Sequence, residues 1–160
     1  MLGRHSRKRL ILPGFILAVW AALGGFALAQ NAEPVSPKLP PKLQDLLRKE
    51  MLSISDASRE ILTALVAGND ERVAALAQQI HDSFILRQSM TSEDKADLLA
   101  AVPEGFVKMD RAFHDLSAEL AQAGRAGDRS LQQEYFGRMI EACGACHEQY
   151  ATNRFPSFSE

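Results

Sequence analysis

The sequence predicts an all-α protein built as an antiparallel four-helix bundle, and three observations carry that expectation. Apolar residues recur at steps of three and four over long stretches, and they do not alternate as a half-buried strand would require. Short breaks rich in Gly, Asn and Asp separate the stretches. Four amphipathic helices cannot bury their stripes alone, and the simplest joint solution is an up-down bundle.

The first helix is expected from about Pro41 to Val66, with Leu43, Leu47, Met51, Ile54, Ser58, Ile61 and Leu65 on one stripe. "AGND" closes it: Gly68 suits a C-terminal stop, and Asn69 or Asp70 can cap the next helix. That second helix is read to about Met90, with Val73, Leu76, Ile80 and Phe84 inward. Thr91-Ser92-Glu93-Asp94 offers a new start, because a side-chain oxygen can accept from the orphan N–H groups. Pro103 divides the next segment into a short helix to Ala101 and a long one from Pro103 to about Ala123. The long one carries the stripe Phe106, Met109, Phe113, Leu116 and Leu120. "GRAGD" is the last turn, and the fourth long helix spans about Arg129 to Thr152, burying Leu131, Tyr135, Met139, Ile140 and Cys143.

Ahead of the bundle, Arg4, Arg7, Lys8 and Arg9 precede an apolar run that ends in Ala27-Leu28-Ala29. A basic start, an apolar middle and a small-residue end read as a signal peptide over residues 1–29, cut after Ala29 in export to the periplasm. The competing reading is an uncleaved anchor, since the run approaches the roughly 20 residues that cross a bilayer. Pro13 and Gly24-Gly25 weaken a spanning helix, so no stable membrane span is expected after cleavage. Residues 30–40 read as an extended, Pro-rich leader, and residues 41–160 as the bundle domain. The mature part suits one compact domain. It holds all 20 acidic residues and 14 of the 18 basic ones, a net charge of −6. An acidic surface argues against a nucleic-acid partner, which needs a basic stripe.

The chemistry concentrates in "EACGACHEQY", which holds the only two cysteines. On a helix, Cys143, Cys146 and His147 share one face. Two thiols one turn apart can add to the two vinyl groups of a haem, and the next histidine then lies under the iron as an axial ligand. C-x-x-C-H therefore reads as a c-type haem attachment site for one covalently bound haem c. Three other readings are weaker. A redox dithiol favours a helix N-terminus, a zinc site needs further ligands, and a disulfide between positions i and i+3 of one helix is strained.

With "CGACHEQY" near the end of the last helix, the chain resembles the class II c-type cytochromes, the cytochrome c′ family. Tyr150 matches an aromatic the family often has there, whereas Ala151 stands where the family commonly has Arg or Lys. The resemblance implies a haem protein that carries electrons or binds a gas, is not an enzyme, and is a monomer or a homodimer. It divides members by what the first helix offers opposite the histidine: an apolar residue in five-coordinate members, a methionine in low-spin ones. The candidates here are Met51 and Leu52. The apolar stripe selects Met51 as distal ligand, together with His147 as proximal one, while an arginine four residues before the distal residue, the family pattern, makes Arg48 select Leu52. Arg48 and Arg59 are candidates for pairing with haem propionates. His81 and His114 are secondary ligand candidates. The leading expectation is a carrier of single electrons between redox partner proteins, and the alternative is a five-coordinate gas-binding protein.

Overall fold

The computed structural model describes residues 33–83 and 85–158. The expected signal peptide and Phe84 lie outside the described residues. Among the described residues there are six α-helices and no strand: α1 Pro41–Ala67, α2 Asp70–Asp82, α3 Leu86–Ser89, α4 Ser92–Ala101, α5 Glu104–Ala126 and α6 Arg129–Tyr150. Helices α1, α2, α5 and α6 form the expected bundle, while α3 and α4 lie in the α2–α5 connection. Helix α2 packs on α1 and α5, and α5 packs on α6, whereas α1 and α6 scarcely meet.

The helix ends follow their local chemistry. Gly68 and Gly127 adopt a left-handed φ of 66°, and their N–H groups close the last turns of α1 and α5. Asn69, Thr91 and Asp128 accept N–H groups at the starts of α2, α4 and α6, and Thr91 and Asp94 complete a capping box. Two apolar clusters fill the bundle. One joins Ile54, Ile61, Val73, Ile80, Leu120 and Met139. The other, at the opposite end, joins Val35, Leu39, Leu43, Val102 and Tyr150, with Leu47, Phe106 and Cys146 against it.

The leader is therefore not extended throughout. Ser36–Lys38 form a 3-10 turn, and Val35 and Leu39 are buried against the last turn of α6. The N–H groups of Glu33 and Val35 bond to the carbonyls of Gln149 and Tyr150, at 2.7 and 3.0 Å. These are carbonyls that a helix C-terminus leaves without intrahelical partners.

Three element readings are corrected. Helix α2 ends at Asp82 rather than near Met90, because Ser83 turns to a φ of 64° and starts a sharp corner. In α1 the residue that enters the interior is Glu50, 1% exposed, while Met51 is 39% exposed on the flank. In α6 the expected core residues Leu131 and Ile140 are exposed, and Gln132 is buried, bonding Asp70 Oδ1 at 3.0 Å and the Ala123 carbonyl at 3.4 Å.

The first two corrections have one cause. Glu50 accepts from the Ser83 hydroxyl at 2.8 Å and from the N–H groups of Ile85 and Leu86 at 2.6 and 3.0 Å. A buried carboxylate is tolerated when its lone pairs meet donors, and it fixes the corner that supplies them. Glu50→Ala strands three donors and is expected to destabilise the protein by about 3 kcal/mol, whereas Glu50→Gln, which keeps one acceptor, costs about half as much. Urea unfolding checks this, and an unchanged midpoint for the alanine variant would remove Glu50 from its anchoring role.

Candidate functional site

Cys143, Cys146 and His147 occupy the last two turns of α6, all three half-buried, with both cysteines as free thiols. Burial pushes the Cys143 thiol up, and burial followed by the charges of Asp110 and Cys143 pushes Cys146 up to about 11. Both sulfurs are therefore held as S–H groups at neutral pH. A redox dithiol requires the opposite shift, and its reading loses ground here. Burial lowers the pKa of His147, which favours the neutral imidazole with a lone pair free for a metal. Among the described residues no group of three or more His, Cys, Asp or Glu side chains is arranged to hold a metal ion, so a zinc site finds no ligand set.

The surroundings of the thiols fit a flat apolar group. A Cβ added at Gly137 or Gly144 would meet nothing within 4 Å. Ile140, lying between them along the helix, is 51% exposed. Helix α1 makes few contacts with α6. An uncovered apolar strip beside two thiols and an imidazole is the surface a macrocycle would cover.

On α1, Met51 lies between Leu47, which packs with the cluster that holds Cys146, and Ile54, which packs with the cluster that holds Met139, and it sits on the exposed flank. Leu52, 51% exposed, is one residue further round the helix. Arg48 stands on the exposed flank of α1, where its Nη2 donates to Asp45 Oδ1 at 2.7 Å. Arg59 pairs in the same way with Asp56. The two histidines serve as clasps between α2 and α5. His81 Nδ1 donates to the His114 carbonyl at 2.9 Å, and His114 Nδ1 donates to the Ile80 carbonyl at 2.7 Å.

Two features of this end of the bundle were not anticipated from the sequence. Tyr150 is buried and meets Phe106 edge to face, with centroids 5.6 Å apart, which ties α6 to α5. Phe155 returns from beyond the helix to stack on His147, with centroids 4.4 Å apart. Hydrophobic periodicity gives no sign of Phe155, which lies past the last periodic residue in a short tail.

A family model described as Cytochrome C' matches residues 46–151, more than half of the chain. No curated protein and no solved structure matches it.

Proposed function

The chain belongs to the cytochrome c′ family, and from that premise we propose that it is a periplasmic carrier of single electrons with His147 and Met51 as its two axial ligands. It is a haem c protein, with one covalently attached haem per chain, of a family whose members carry electrons or bind gases. The family is typically periplasmic, and among the described residues no helix is long and apolar enough to cross a membrane.

The observation that carries the reading is the C-x-x-C-H face of α6. When bound, the haem supplies an iron centre that takes up and returns one electron. Cys143 and Cys146 would tether the group through thioether bonds, and His147 would offer its lone pair one residue later. Met51, between Leu47 and Ile54 on α1, would offer a thioether sulfur as the second ligand. A methionine sulfur favours the reduced state and raises the potential. Arg48 and Arg59, paired with Asp45 and Asp56 on the exposed flank of α1, could exchange those carboxylates for haem propionates. The excess of acidic residues steers encounters with a basic patch on the redox partner.

One observation favours the second reading, a five-coordinate gas-binding protein. Met51 lies off the buried stripe, and Leu52 stands four residues after Arg48, in the register the family uses for an apolar distal residue. An optical spectrum of the reduced protein with and without carbon monoxide separates the two. The electron carrier is expected to change slowly or not at all. A complete change on mixing would establish the gas-binding reading instead.

A further inference from the structure

The tail beyond α6 is built to reach back over His147. The helix ends at Tyr150, and the N–H groups of Arg154 and Phe155 both bond to the Ala151 carbonyl, at 2.8 and 3.0 Å. Thr152, inside that turn, is buried. The chain thus reverses at once and lays the Phe155 ring on the His147 imidazole, with the planes only 16° apart. Phe155 itself stays 39% exposed, so its ring shelters the imidazole more than it fills a core.

A histidine that ligates a metal is ordinarily oriented by a hydrogen bond from its other ring nitrogen to a carboxylate or carbonyl. His81 and His114 each have such a bond to a carbonyl, but among the described residues no hydrogen bond reaches either ring nitrogen of His147. The second torsion of an imidazole is broad and soft. Among the described residues no hydrogen-bond partner competes for its rotation, and the aromatic partner on its face is Phe155.

We propose that Phe155 is a positioning residue for the proximal ligand: its ring, stacked flat on His147, sets the rotation of the imidazole in place of a hydrogen-bonding partner. The proposal rests on the reading of His147 as that ligand. It also accounts for the sharp turn at Ala151, which brings the ring back within stacking distance.

The test uses the mature, haem-loaded protein and its Phe155→Ala, Phe155→Leu and Phe155→Tyr variants. The readout is the hyperfine-shifted ring resonances of His147 in the oxidised protein, which report imidazole rotation in either spin state. Alanine and leucine are expected to shift and broaden them, and tyrosine, which restores a flat ring, to return them toward wild type. Unchanged resonances in the alanine variant, or full restoration by leucine, would show that the ring only fills space and would overturn the proposal. His147→Ala separates this from the reading beneath it. If that variant loses the nitrogen-ligand signature while Phe155→Ala is silent, only the positioning role falls. If His147→Ala leaves the signature intact, the proximal assignment falls and the positioning role with it.

Discussion

Replacing Cys143 and Cys146 together with serine is expected to abolish covalent haem, while either single replacement weakens its retention. The reasoning is bond type. Thioether carbon–sulfur bonds survive unfolding and acid–acetone extraction, whereas coordination by His147 alone does not outlast the loss of the fold. A serine hydroxyl is close in size to the thiol, so the half-buried positions remain filled and the variant tests chemistry more than packing. The measurement is absorbance retained by the denatured protein after extraction. Haem that extracts freely from the wild-type protein would sink the attachment assignment at once, and with it the family's cofactor chemistry in this chain.

Met51→Ala carries the second large effect. With methionine on the iron, the oxidised protein shows a weak far-red charge-transfer band and a low-spin magnetic signature. The alanine variant is expected to lose the band, become high-spin and bind carbon monoxide rapidly. Leu52→Ala is expected to change little, because one residue further along turns the side chain about 100° round the helix axis. Glu50 makes that distinction sharp. Its bonds to Ser83, Ile85 and Leu86 pin the rotation of α1 immediately before Met51, so the helix is not free to exchange one neighbour for the other. A wild-type protein that is already high-spin and binds the gas on mixing would reverse the functional reading.

Where sequence reasoning succeeded, short-range chemistry decided the outcome. Gly68, Asn69 and Thr91 mark helix ends through backbone freedom or a capping oxygen, and the structure uses them so, while α5 runs past the expected end near Ala123 to stop at Gly127. The C-x-x-C-H face needs only helical spacing, and it forms. Where reasoning failed, a long-range partner overrode local pattern. An acidic residue in an apolar helix reads as outward, and nothing near Glu50 in the chain announces the donors some 35 residues on that draw it inside. That one burial rotates the stripe by a residue and leaves Met51 on the flank. Gln132 repeats the lesson, because Asp70 and the Ala123 carbonyl supply its partners from other elements. The Pro-rich leader carried no periodicity, yet two apolar side chains sufficed to dock it. Phe155 was invisible for a different reason: a stacking contact made from a turn has no period to detect.

The docking of Glu33 and Val35 onto Gln149 and Tyr150 sets an order of assembly. Residues 33–39 find their seat only when α6 is in place, since that helix supplies the carbonyls. Until then the bundle is open at one end, the same end that holds the two thiols. A chain without α6 therefore has neither this closed end nor the C-x-x-C-H face, and Val35 and Leu39 lose part of the apolar seat that covers them. Closure of this end of the bundle and presentation of the attachment face thus both wait on α6, although the segment that docks there precedes α1 in the chain.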